Sequence, residues 1–168
     1  MSLVVIGIII YAALNDLRDC KIPNKAVIAI ITIGLVQSAM TTIGVGSIQS
    51  ITLSDALLGF GVGLLISILL HIAGLFGAGD AKLLAALGAI VGYPNIILLI
   101  AMAVLTAGSL AVLRLACYGE LINLFKRWRD LLVYRTYQPP QPNSVASSAV
   151  PMGGAILLAT IYCEFYLF

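Results

Sequence analysis

The chain has 168 residues, 61% of them hydrophobic and 10% charged, with a formal net charge of +2. Soluble domains carry roughly a quarter charged residues. The composition therefore excludes an ordinary soluble enzyme, leaves room for several membrane spans without a separate soluble domain, and offers no basic surface for nucleic acid.

Apolar spans are expected at 2–15, 25–43, 55–75, 81–93, 95–117 and 149–168. The opening stretch, Ser2 to Leu14, lacks a basic n-region and a small-x-small cleavage site, so it reads as a retained helix rather than a signal peptide. It runs into Asp16-Leu-Arg-Asp-Cys-Lys-Ile-Pro-Asn24, where Pro23 supplies a break and Asn24 is expected to cap the second span. That span dissolves into the small, polar stretch Thr41–Ser47, and Ser54 or Asp55 is expected to cap the third. Gly59, Gly61 and Gly63 let the third span approach a neighbour closely. No strand precedes them, so they do not form a dinucleotide loop. Next comes Gly77-Ala-Gly-Asp80-Ala-Lys82, whose glycines are expected to supply unusual dihedrals that place Asp80 at the mouth of span four. Span four is rich in Ala and Gly, which suits the interior of a bundle. Between Tyr118 and Val150 the chain turns polar. Leu121, Leu124, Phe125, Trp128, Leu131 and Leu132 recur there at helical spacing among basic residues, the pattern of an amphipathic helix in the cytoplasmic interface. A Pro-rich loop follows at 138–148. The fold class is all-α: a polytopic membrane protein with six transmembrane helices and one short amphipathic helix.

Arg18, Lys21, Lys126, Arg127, Arg129 and Arg135 fall in the segments after spans one and five, Lys25, Lys82 and Arg114 lie at the span ends on the same side, and the connections 44–54 and Gly92–Pro94 contain no Lys or Arg. The positive-inside rule makes the basic side cytoplasmic, with both termini outside and Asp16 and Asp80 on the cytoplasmic side. A crossing takes about 20 residues. Span one offers roughly 22 Å of helix before Asp16, and span four roughly 20 Å after Asp80, which sets both carboxylates somewhat below the cytoplasmic surface.

A carboxylate near hydrocarbon is by default a functional hypothesis. Two held close in a partly desolvated site do not both ionise easily, so one keeps a proton while the other acts as a base. Such a pair can activate water against a peptide carbonyl with no cofactor, provided that antiparallel packing of spans one and four brings Asp16 and Asp80 together. Asp19, Asp55 and Asp130 read as flanking or capping residues, with Asp55 on the outer side about a membrane thickness (~30 Å) away. Lys82 reads as a snorkelling cation that stands near Asp80 or meets an acidic group of a substrate. His71 reads as an interhelical hydrogen-bonding group. Cys20, Cys117 and Cys163 are widely separated and accompanied by a single His, so they read as free thiols, and no metal site is expected.

At Asp16 with Ile22-Pro23-Asn24, and at Gly77-Ala-Gly79-Asp80-Ala-Lys82, the chain resembles the type IV prepilin peptidases and their archaeal preflagellin counterparts. Val150-Pro-Met-Gly-Gly-Ala155 is a third, weaker match, to the family's late Pro-x-Gly helix start, and the likeness is taken to span nearly the whole chain. The resemblance implies one integral-membrane peptidase domain over 1–168, with Asp16 and Asp80 as the catalytic pair and Gly77, Gly79, Lys82, Ile22, Pro23 and Asn24 as the supporting motif. It implies no cofactor or metal. It also implies a bacterial inner-membrane setting, where the partners are the lipid bilayer and prepilins, cleaved between a short basic leader and the hydrophobic helix. The cytoplasmic domain with paired C-x-x-C cysteines that bifunctional members carry is missing from this sequence, so methyl transfer is not expected. Its small size resembles the members serving Flp/Tad-type pili. Two alternatives stay open. A presenilin-like protease shares GxGD, but here Asn15 rather than Tyr precedes Asp16 and no Pro-Ala-Leu occurs. A transport or assembly subunit calls for acidic residues nearer the membrane centre, which the sequence does not show.

Overall fold

The computed structural model describes residues 3–19, 21–44, 51–119, 129, 133 and 152–167. Among them there is no strand, and the elements are six helices: α1 (Leu3–Asp19), α2 (Asn24–Thr42), α3 (Leu53–Ile72), α4 (Ala78–Val91), α5 (Asn95–Cys117) and α6 (Met152–Tyr166). Each falls on one of the six expected spans. By length and composition, α2, α3 and α5 are long and apolar enough to cross a membrane. At 17, 14 and 15 residues, α1, α4 and α6 are shorter than the roughly 20 that a full crossing takes. The amphipathic helix expected at 121–132 lies outside the described residues apart from Arg129, as do the 138–148 loop, Cys20 and Asp130.

The contacts divide the chain into two compact units, 1–106 with 151–168, and 107–150. In the first, α4 is the central element. Asp80, Ala81 and every residue from Leu83 to Val91 are buried, and α4 packs on α3, α2 and α6. Its Ala- and Gly-rich sequence makes this possible, because small residues let backbones approach closely. A Cβ on Gly59 of α3 would stand 2.8 Å from the Gly92 backbone and closer still to the Gly88 carbonyl, and one on Gly34 of α2 would stand 2.9 Å from the Ala89 carbonyl. No side chain fits at any of these crossings. Fully buried Val5, Ile9, Ile30, Leu83, Leu84, Leu87, Ile96, Leu99 and Ile156 fill the core around them. Leu57, Leu65 and Leu69 of α3 and Ile28 and Val36 of α2 face outward, as surfaces against hydrocarbon would.

Helix starts differ from the expected caps. Pro23, not Asn24, is the N-cap residue of α2; its extended backbone (φ −68°, ψ 127°) leads straight into the helix and no side chain caps it. Thr52, not Ser54 or Asp55, caps α3. Its hydroxyl accepts from the Asp55 amide at 3.3 Å and donates to Asp55 Oδ2 at 2.7 Å. The N-cap residue of α2 lies one residue before Asn24 and that of α3 two before Ser54, since in each case it is the last residue with an extended backbone. The Tyr93 amide donates to the Asp55 carbonyl at 3.1 Å, which fixes Asp55 beside the C-terminal end of α4. Asp55 and Asp80 are therefore separated by about 12 residues of α4, roughly 18 Å rather than a full membrane thickness.

The glycine crossings give a direct stability test. Gly88→Val puts atoms into the Gly59 backbone, so it should cost about 1–3 kcal/mol or abolish folding. Gly61→Val adds them where nothing lies within 4 Å, and should leave detergent unfolding almost unchanged.

Candidate active site

Asp16 is the last member of the buried stripe of α1. Val5, Ile9, Ala12, Ala13 and Asp16 follow one another at helical spacing, and Asp16 is only 6% exposed. The helix continues for three residues beyond it, so the acid sits within the last turn rather than after the end. A buried carboxylate needs a donor. The donor here is the Gly153 amide in the first turn of α6, 2.7 Å from Asp16 Oδ2.

Asp80 is 7% exposed and stands in the first turn of α4. Its Oδ2 accepts from the Gly77 amide at 3.1 Å, one arm of a capping box. Its Oδ1 is buried without a hydrogen-bond partner among the described residues. Such atoms are rare in folded proteins and call for an explanation. One oxygen of Asp80 thus does the work of a helix cap, and the other has no partner among the described residues. Asp16 lies close enough for its charge to be felt at Asp80. The helices do not pack as expected for spans one and four: α1 packs chiefly on α6 and α2, and α4 on α3, α2 and α6. Both α1 and α4 pack on α2 and α6.

The two sequence signatures also touch each other. A Cβ on Gly79 would lie 3.3 Å from Ile22 Cβ, so Ile22 packs on the bare backbone of the first turn of α4. Lys82 Nζ, exposed, donates to Asn24 Oδ1 at 3.5 Å. Asn24, expected as a helix cap, is instead the acceptor at this joint.

Two other expectations change. Gly77 has an ordinary extended backbone (φ −70°, ψ 156°) and Gly79 is helical, so neither supplies an unusual dihedral. Their glycine requirement is steric: a Cβ on Gly77 would stand 2.9 Å from Asp80 Oδ2. The positive φ of this connection belongs to Gly74, at +74°. Among the described residues, His71 does not bridge helices. Its Nδ1 donates to the Phe76 carbonyl at 2.8 Å and staples the α3–α4 connection to itself. Cys117 and Cys163 are free thiols, and no group of three or more His, Cys, Asp or Glu comes together among the described residues. Gly153 is the site residue that sequence reasoning did not single out. Its signal was the weak Val150–Ala155 match, of which Val150 and Pro151 lie outside the described residues.

Residues 3–112, well over half of the chain, match the type IV leader peptidase family. The match holds both signatures but stops short of α6, so it covers less than the near-full length expected and leaves out the third, weaker motif. No curated protein and no solved structure matches the chain.

The joint between the signatures has its own test. Gly79→Val should cost about 1–3 kcal/mol by pushing Ile22 away. Ile22→Ala in the same chain should recover part of that loss, a coupling that a double-mutant cycle in detergent measures.

Proposed function

The chain belongs to the type IV leader peptidase family, and on that footing we propose that it is an aspartic endopeptidase that removes the short basic leader of Flp-type prepilins. Cleavage takes place at the cytoplasmic face of the bacterial inner membrane, before the pilin's hydrophobic helix. The observation that carries this is the pair of buried acids, one of them with an oxygen that no group among the described residues satisfies.

The chemistry uses both carboxyl groups and a water. The ionised member takes a proton from the water, and the resulting hydroxide adds to the scissile carbonyl carbon. The protonated member gives its proton to the carbonyl oxygen, forming a neutral tetrahedral diol. The diol collapses by breaking the C–N bond, the leaving nitrogen gains a proton from the carboxyl group protonated in the first step, and the remaining hydroxyl returns its proton to the other carboxylate. Both acids end as they began. Burial supports this assignment, since carboxylates sharing a desolvated site split naturally into an acid and a base. The distribution of Lys and Arg supports a cytoplasmic site with both termini outside.

Purified protein in detergent, incubated with an Flp-type prepilin, should release the leader at the same rate with and without EDTA. Asp16→Asn and Asp80→Asn should each lower the rate by about a thousandfold or more, as loss of an essential acid or base does in a concerted pair. Full cleavage by either variant would dismiss the catalytic pair, and loss with the chelator would point to a metal. Lys82→Ala should slow processing only severalfold, since its exposed contact to Asn24 lies outside the acid pair. An unchanged rate would remove Lys82 from the site.

A further inference from the structure

Gly153 and Gly154 are neighbours in the first turn of α6 with opposite surroundings. Around Gly154 an added Cβ would meet nothing within 4 Å. At Gly153 it would stand 2.9 Å from Asp16 Cβ, 3.0 Å from Oδ2 and 3.2 Å from Cγ. The nearest of these atoms is fixed to the α1 backbone and has no freedom to swing aside. The Gly153 amide at the same time gives Asp16 Oδ2 its buried hydrogen bond of 2.7 Å. Such amides in the first turn have no partner within their own helix, so bond and carboxylate satisfy each other. The first turn of α6 is itself held. Thr106 of α5 donates to the Ala155 carbonyl at 3.1 Å, and Ala155, Ile156 and Ala159 are buried.

We propose that Gly153 is a positioning residue for the peptidase reaction: its bare Cα and its amide together lock Asp16 in one rotamer, with Oδ2 tied and Oδ1 left for the reacting water. The inference rests on Asp16 and Asp80 being the catalytic pair. A side chain at 153 displaces the carboxylate, and loss of the amide proton lets it turn. A misplacement on the order of 1 Å can cost about a hundredfold in rate.

The test measures kcat and KM on an Flp-type prepilin over a range of pH, with detergent unfolding, for wild type, Gly153→Ala and Gly154→Ala in the full chain. Gly153→Ala should lower kcat by about ten- to a hundredfold and change the pH profile of kcat, leaving KM within about twofold. Gly154→Ala should match wild type in all of these. If Gly153→Ala fails to fold, a backbone ester at 153 removes the N–H without adding a Cβ and should lower kcat in the same way. A kcat and pH profile unchanged in the ester, or a Gly153→Ala defect confined to KM or to stability, overturns the inference. A silent Gly153 beside inactive Asp16→Asn overturns the positioning role alone. A wild-type protein that leaves prepilin intact, or aspartate variants that cleave it fully, overturns the peptidase reading and the inference with it.

Discussion

A carboxylate removed from water must be given donors, and both buried acids take theirs from the first turn of a helix. Gly153 serves Asp16 at the start of α6, and Gly77 serves Asp80 at the start of α4. At such ends the amides point outward without intrahelical partners, and the helix dipole favours negative charge. At each donor position an added Cβ would come within 3 Å of the carboxylate side chain being held, meeting Asp16 Cβ at Gly153 and the tip of Asp80 at Gly77.

The packing around α4 serves the same end. A helix buried on nearly every side needs neighbours that come unusually close, and Gly34, Gly59 and Gly88 allow this where α2 and α3 cross it. The joint between Ile22 and Gly79 then fixes the α1–α2 connection against the first turn of α4. The two signatures, far apart in sequence, are two halves of one contact, and this accounts for their occurring together.

The six helices among the described residues fall on the expected spans because the first five apolar runs are followed closely by a proline, a glycine or a charge. The interior position of α4 was legible from its alanines and glycines. Asp16 and Asp80 stood out because acids are scarce in so apolar a chain. Other features were hidden for physical reasons. In α2 and α3, hydrophobic nearly all round, the pattern does not identify which neighbour each face meets, so the packing of α1 on α6 rather than along α4 could not be read. His71 spends its ring nitrogen on a carbonyl five residues away, a local bond that its sequence position did not distinguish from a bridge. Gly77 and Gly79 were recognised as special, but sequence cannot separate a glycine needed for its dihedrals from one needed for its missing Cβ. Gly153 belongs to the second kind, and its partner lies 137 residues away.

The enclosure of α4 has a consequence for how such a protein tolerates different membranes. Hydrophobic mismatch acts on the surfaces that lipid tails touch, and in α2 and α3 these are outward-facing residues such as Ile28, Val36, Leu57 and Leu65. Sheathed by α2, α3 and α6, α4 is only 14 residues long, about 21 Å, and does not have to match the hydrocarbon around it. A change in bilayer thickness therefore bears first on the outer helices, and the acid at the head of α4 stands behind them.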